Sequence, residues 1–292
     1  MSDRAGRASA EDLLAYRFEP IRHSYTERDV VLYGLGLGLG LEEGDAGALR
    51  YLYERDLQVL PSFLTVLAAP GFWWEASGLA IDWRRIVHGG QAFETLAPLP
   101  TAGVVIGRTV VRSVTDKGPG VGAIVVIERT IEDAQTGALI GRLSSSSFLR
   151  GDGGMGSAGP QPAAEPAHAP EGPAPIVVDS PTSLQGALIY RLSGDFNPLH
   201  ADPAAAAASG FPRPILHGLA TFGIATRAVV KALCGDQAAG LKSLSGRFSA
   251  PVYPGETIRT EIWPSDDGGV FRARVVERDL EVLKAGRFTL AA

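Results

Sequence analysis

One cysteine, Cys234, stands in 292 residues. No internal disulfide can form, and a reducing, cytoplasmic setting is the default reading. No run of 18 apolar residues occurs, so no membrane span is expected. The first 20 residues hold no apolar core segment, so no secretory signal is expected. Basic charge is the minority: 27 Lys and Arg face 32 Asp and Glu, for a net charge of −5. A general nucleic-acid binder needs a basic footprint, so neither nucleic acid nor membrane is an expected partner. What is present is a globular composition, 45% hydrophobic and 20% charged. Glycine (36) and proline (20) are in excess. The length allows one large domain or two of ordinary size.

Part of the glycine and proline excess sits in one segment. Residues 151–175 read GDGGMGSAGPQPAAEPAHAPEGPAP. The run has no periodicity and cannot bury a face, so a mobile linker is expected. It divides the chain into residues 1–150 and 176–292. Both parts read as strand-rich. In the first, 104–114, 122–133 and 138–150 carry β-branched residues between turn signals. In the second, 257–263, 270–277 and 282–290 do the same. Each set reads as an antiparallel meander. Leu216 to Cys234 differs, being apolar nearly all round with one polar seam at Arg227 and Lys231. Such a helix is buried. A buried helix wrapped by a curved antiparallel sheet is the hotdog arrangement, an α+β fold.

Two internal similarities point to duplication. RRIVHG at 84–89 resembles RPILHG at 213–218, and FETLAPLP at 93–100 resembles FSAPVYP at 248–254. In the second copy about 30 residues separate His217-Gly218 from Phe248, room for the long helix. In the first, Gly89 reaches Phe93 at once. The expectation is a double hotdog whose first unit lacks or displaces its central helix.

The densest chemistry lies between Tyr190 and Gly218. A short apolar helix over 184–192 ends at Gly194. Asn197-Pro198 forces a turn, because proline disfavours the α region for the residue before it. Asp195 and His200 therefore share one constrained loop. A carboxylate beside an imidazole suits general acid–base work. Asn197 between them can hold a water through its amide. Gly218 opens the buried helix, where free backbone N–H groups favour a developing oxyanion. Together these groups point to chemistry next to a carbonyl.

GDFNPLH at 194–200 resembles the signature of the MaoC-like hydratases, the (R)-specific 2-enoyl-CoA hydratases or hydratase 2. PILHGL at 214–219 with Thr221-Phe222-Gly223 resembles the family's oxyanion helix, and PVYPGET at 251–257 its following strand. In the first half, YTERD at 25–29, YGLG at 33–36, Tyr53-Glu54, LPSF at 60–63 and His88-Gly89 resemble the hydratase domain of multifunctional enzyme type 2. The resemblance implies a double hotdog whose first half, 1–150, forms an acyl-chain pocket and whose second, 176–292, carries the catalysis. It implies Asp195 and His200 as catalytic dyad, Asn197 as water-positioning residue and Gly218 N–H as oxyanion donor. Which dyad member acts as base stays open. Tyr190, His217, Glu54 and Arg213 are the expected substrate contacts. The implied reaction is syn addition of water to a trans-2-enoyl-CoA, giving the (R)-3-hydroxyacyl-CoA. The substrate is an acyl-CoA thioester, and no metal or other cofactor is expected. A monomeric double hotdog or its homodimer is the expected assembly.

Three rivals stand beside this reading: a dehydratase running the same chemistry backwards, a hotdog thioesterase, and a non-catalytic acyl-CoA binding protein. Other features read as structural. In GLGLGLG at 34–40 the sixth place of a phosphate loop is Leu39 or Leu41, so close backbone packing is the better reading. His23, His88 and His217 are too scattered in sequence for a metal cluster. Cys234 reads as inert core. Trp73-Trp74 reads as core before tunnel lining. Arg213, Arg227, Lys231, Lys242 and Arg247 could reach CoA phosphates, with a solvated surface the plainer reading for each.

Overall fold

The computed structural model describes residues 7–161 and 169–291. All six expected strands are present, with ends that differ by up to two residues. Four others, unrecognised in the sequence, complete the sheet. In chain order the strands are β1 (Ile21–Tyr25), β2 (Ile86–Thr95), β3 (Gly103–Asp116), β4 (Ala123–Asp133), β5 (Leu139–Leu149), β6 (Ile176–Pro181), β7 (Leu241–Phe248), β8 (Thr257–Ser265), β9 (Gly268–Val275) and β10 (Leu280–Leu290). The helices are α1 (Ala10–Ala15), α2 (Glu27–Gly36), α3 (Trp73–Ala76), α4 (Gly186–Tyr190), α5 (Pro203–Ala208) and α6 (Gly218–Leu233).

The strands form one ten-stranded antiparallel sheet in the order β1-β3-β4-β5-β2-β7-β10-β9-β8-β6. The order is palindromic by role. The first five strands repeat as the second five, and β2 meets β7 at the seam. Ile21 opens β1 and Ile176 opens β6, and the same interval separates Phe93 from Phe248. At that interval Gln91 corresponds to Gly246, and these two pair with each other across the seam. The Phe93/Phe248 similarity is therefore a true correspondence, and the fold is a double hotdog. The His88/His217 similarity is not. His88 lies within β2, whereas His217 caps α6 well before β7.

α6 fills the concave side of the sheet. Residues Ala220 through Val230 are all buried. Phe222 meets the Phe93 ring of β2 edge-on at 6.0 Å, so the second half's helix also packs on the first half's sheet. Between β1 and β2 the longest helix among the described residues is α2, of ten residues. The first half thus lacks a counterpart of α6, as expected, but for another reason. Ample chain is present there; glycines at 34–40 and prolines at 61 and 70 break it into short turns. Phe63, Leu64 and Leu67 fill the space instead.

The glycines at 34–40 serve packing. A Cβ on Gly36 would lie 2.9 Å from Tyr190 Cα, so only glycine lets α2 rest on α4. Gly36→Ala is expected to push these helices apart and lower stability by about 1–3 kcal/mol, read as a shifted urea midpoint at unchanged m. An unshifted midpoint would show that the contact relaxes freely.

The start of the expected linker is hydrogen-bonded to the first half. Val114 and Ala158 exchange backbone hydrogen bonds of 2.9 and 3.0 Å. The Asp152 carboxylate accepts the Asp82 N–H, and Gln161 donates to Val114 O. Compositional bias concealed these specific pairings. Residues 162–168, the middle of the segment and the place of His168, lie outside the described residues. Met155 joins a smaller core with Val111, Val114, Val125 and Leu149. Trp73 and Trp74 stack there at 4.0 Å, as core residues.

Candidate active site

The loop from Ser193 to Asp202 is shaped by local rules. α4 runs into a 3₁₀ turn at Arg191–Ser193 that ends on Gly194, whose φ of 114° favours glycine. The Asp195 carboxylate accepts the Asn197 N–H at 3.2 Å. Asn197 Oδ1 caps the next 3₁₀ turn, Pro198–His200, by accepting the Leu199 N–H at 3.0 Å. Asn197 thus spends its oxygen on the loop and keeps its amide nitrogen for other work. These turns aim Asp195 and His200 at each other. His200 Nε2 stands 4.0 Å from Asp195 Oδ2. That is too long for a direct hydrogen bond and suits a small group held between them.

The geometry fixes the His200 tautomer. Nδ1 lies 2.9 Å from the Ile215 carbonyl, which only accepts, so Nδ1 carries the proton. Nε2 presents its lone pair towards Asp195. Burial lowers the His200 pKa, against a smaller raising effect of the Ile215 carbonyl and Asp195. The ring is therefore a neutral base at physiological pH. His200 is 8% exposed, whereas half of the Asp195 side chain meets solvent. The histidine of the dyad is thus buried while its carboxylate reaches solvent.

His217 supports both members. Its ring stacks on His200 at a centroid distance of 3.7 Å, and its Nε2–H donates to the Asp195 carbonyl at 3.1 Å. Tyr190 packs on its other side at 4.9 Å. Gly218 follows at once as the first residue of α6. The first intrahelical donor is Ala220, to His217 O, so the Gly218 N–H precedes the helical ladder. A Cβ on Gly218 would lie 3.3 Å from the Phe248 ring. Phe248 in turn packs on His88 of β2 at 4.7 Å, and His88 feels the Asp195 charge. The seam thus brings the first half close to Asp195. His88 was read from sequence only as part of a motif; no local signal placed it opposite the dyad.

Asp195, His200 and His217 offer ligand atoms within 4.8 Å of one another, the spacing of a possible metal site. The same three groups are also placed to exchange protons. One ring nitrogen of each histidine is committed to a carbonyl, and face-to-face rings do not converge their lone pairs on one ion.

Burial, and then the neighbouring His200, pulls the His217 pKa down to about 4. The folded protein therefore binds fewer protons than the unfolded chain between about pH 4 and 6.5. His217's contribution is complete above 6.5 and is lost as pH falls towards 4. His217's share of the fall in the urea midpoint across that window is expected to be ~3 kcal/mol at most, so the fall is expected to be smaller in His217→Gln. Equal slopes in both proteins would sink this assignment.

The other two expected substrate contacts, Glu54 and Arg213, are both exposed. Glu54 is exposed after the 3₁₀ turn Ala46–Tyr51. Its neighbours Tyr51 and Gln58 bond Asp236, Gln237 and Ala238, just beyond the C-terminal end of α6. The dyad lies at the other end of that helix, about 20 Å away at ~1.5 Å per residue. A motif match along the chain could not reveal that separation. Arg213 is exposed, donates to Pro254 O at 2.9 Å and stacks on Tyr253. It braces the segment leading to His217. Arg227 and Lys231 pair with carboxylates at the far end of α6, and Lys242 pairs with Glu94 at 3.8 Å. Cys234 is half-buried at the end of α6, and burial raises its thiol pKa, as suits an inert residue.

Residues 23–151 match the MFE-2 hydratase 2 N-terminal domain, and residues 165–285 match the MaoC like domain. Peroxisomal enoyl-CoA hydratase 2 of Arabidopsis thaliana is 36% identical over 286 residues, covering 93% of this chain and 92% of that protein. The chain belongs to the MaoC-like hydratase 2 family. Another relative, 3-hydroxyacyl-thioester dehydratase Y of Mycobacterium tuberculosis, is 42% identical over 268 residues, 89% of this chain and 90% of its own. A MaoC-like dehydratase crystal structure from Phytophthora capsici superposes with a TM-score of 0.85 at 33% identity. It covers 96% of this chain and 98% of that one. The loop 194–200 and α6 both lie within the MaoC like match. No helix among the described residues is long and apolar enough to cross a membrane.

Proposed function

We propose that the protein is an (R)-specific 2-enoyl-CoA hydratase, a hydro-lyase that adds water to a trans-2-enoyl-CoA and yields the (R)-3-hydroxyacyl-CoA. The observation that carries this is the 4.0 Å gap between a neutral His200 Nε2 lone pair and the Asp195 carboxylate. Two acceptors facing one gap grip both protons of a water. His200 Nε2 takes one proton as the oxygen attacks C3. The imidazolium then returns a proton to C2 from the same face, so the addition is syn and the atoms balance. Asp195 holds the water and stabilises the imidazolium. The Asn197 amide positions the water. Charge gathering on the thioester oxygen meets the Gly218 N–H at the positive end of α6. Tyr190 and His217 support the site from beneath. The acyl chain runs past Phe248 and His88 towards the first half. The reaction needs no metal or redox cofactor.

The same groups catalyse the reverse reaction, and the dehydratase name of the Mycobacterium tuberculosis relative favours that second reading. Purified protein given short, long and branched enoyl-CoAs is expected to consume the enoyl thioester and form the (R)-hydroxyacyl product by chiral analysis. Release of free CoA without hydroxyacyl product would overturn the reading in favour of a thioesterase. Comparing CoA with carrier-protein thioesters in both directions separates hydratase from dehydratase. The working compartment is read as cytoplasmic from the single cysteine, and the Arabidopsis relative's peroxisomal name makes the peroxisome the alternative that cell fractionation tests. The working unit is the double hotdog, alone or as a homodimer.

A further inference from the structure

Beneath the catalytic loop, four polar atoms are buried without a hydrogen-bond partner: Tyr33 OH, Ser62 Oγ, Tyr190 OH and His217 Nδ1. Each belongs to a residue no more than 1% exposed. An orphaned buried polar group costs about 1–3 kcal/mol, and proteins commonly satisfy such groups with ordered water. Four in one neighbourhood call for a shared partner.

The three hydroxyls come from separate elements. Tyr33 lies on α2, Ser62 on the 3₁₀ turn Pro61–Thr65, and Tyr190 on α4. The Tyr33 and Tyr190 rings stand 5.7 Å apart, and Ser62, Thr65 and Tyr190 all lie close enough to the Tyr33 hydroxyl to lower its pKa by hydrogen bonding, so these hydroxyls form one cluster whose mutual contacts fall short of well-aligned bonds. The site is held firmly. A Cβ on Gly223 would lie 2.8 Å from Tyr33 OH, so a glycine in α6 lets the phenol rest on the helix. Thr65 Oγ1 donates to Ser62 O at 2.7 Å, and Arg129 of β4 donates to Thr65 O at 2.8 Å, pinning the turn that carries Ser62. Burial raises the Tyr33 pKa to about 12 and that of Tyr190 well above 10, so both phenols remain O–H donors.

His217 supplies the link to the reaction. Its Nε2–H is given to Asp195 O, so Nδ1 is the lone-pair nitrogen and requires a donor. Tyr190, the hydroxyl-bearing ring packed on His217, lies between that nitrogen's ring and Tyr33. We propose that Tyr33, Ser62 and Tyr190 hold an internal water that donates to His217 Nδ1. This water locks the His217 tautomer and so sets the position of Asp195 and His200. Tyr33, Ser62 and Tyr190 are then positioning residues. The proposal rests on Asp195 and His200 carrying the reaction. An oxygen on a bound acyl chain could satisfy the same groups, and the test separates the two sources.

The full-length protein, labelled with ¹⁵N-histidine, is expected to show His217 as the Nε2–H tautomer with a hydrogen-bonded Nδ1. In Tyr190→Phe the Nδ1 resonance is expected to move towards the unbonded range. The same variant is expected to lose about tenfold in kcat, with KM changed less than twofold. Ser62→Ala removes one hydroxyl with little change of volume and serves if Tyr190→Phe does not fold. An Nδ1 resonance that stays put overturns the proposal, even if kcat falls, because that pattern marks a purely structural role. A crystal structure of the unliganded protein supports it by showing water density among the three hydroxyls. Density appearing there only with an oxygenated acyl-CoA overturns the water in favour of the substrate. If the resonance moves as expected in a protein that does not hydrate enoyl-CoA, the water site stands and the hydratase reading fails.

Discussion

Asp195→Asn is expected to lower turnover at least ~100-fold while leaving the urea midpoint close to that of the natural protein. The substitution keeps shape and keeps Oδ1, so the hydrogen bond from the Asn197 N–H survives and the loop holds. What changes is the face towards His200. The Oδ2 position, 4.0 Å from His200 Nε2, would become an NH₂ group or require a flipped amide. One acceptor for the water is lost, together with the negative charge that stabilises the imidazolium. His200→Ala is expected to lose at least as much activity, but it also removes the stack on His217 and the bond to Ile215 O. Its stability therefore falls too, and Asp195→Asn is the cleaner test. Near-normal kcat in Asp195→Asn would remove the carboxylate from the mechanism.

Arg227→Ala is expected to destabilise the fold by about 3–5 kcal/mol with little direct effect on the dyad chemistry. Arg227 is 6% exposed on α6, with Nη1 2.5 Å from Asp236 Oδ1 and Nη2 3.6 Å from Asp45 Oδ1. Its guanidinium also lies 5.3 Å from the Tyr51 ring centre. Burial would raise the Asp45 pKa, but Lys231 and Arg227 outweigh it and hold the carboxyl below its usual value. Removing Arg227 leaves two largely buried carboxylates with only Lys231 on Asp45. The depressed Asp45 stabilises the fold above its unfolded pKa of about 4, and that contribution fades below it. The gap between the two proteins is thus expected to narrow in acid. Urea unfolding at pH 7 and pH 4 measures both effects, and a loss under ~1 kcal/mol at pH 7 would show the network to be dispensable.

The two predictions mark opposite ends of one helix, and the sequence treated those ends differently. Arg227 and Lys231 were visible as a polar seam four residues apart. Their carboxylate partners come from 42–45 and 236, and only folding selects them. At the other end, GDFNPLH encodes its own turn geometry through glycine, asparagine and proline. The dyad was therefore legible before any tertiary contact was known. His217 stood in a motif, but its stack on His200 depends on where α6 meets the loop.

The strands followed the same division. Those with β-branched runs between turn signals were readable. β2 and β7 were not, because Ile86–Thr95 and Leu241–Phe248 carry glycine and serine at several places and alternate poorly. Their identity as strands comes from pairing on both sides: β2 lies between β5 and β7, and β7 between β2 and β10. Glu54, singled out by resemblance, follows a turn whose Tyr51 bonds the segment just beyond the C-terminal end of α6, a placement only folding could decide.

By itself the sequence determined the local chemistry: a base and a carboxylate on one self-capped loop, and a helix too apolar to stand in water. The tertiary structure decided what long-range packing alone can set. It fused two hotdogs through a seam of weak strand formers and broke the first half's chain into turns. It also buried His200 enough to keep it neutral, because desolvation depends on which neighbours exclude water and not on the order of residues in the loop.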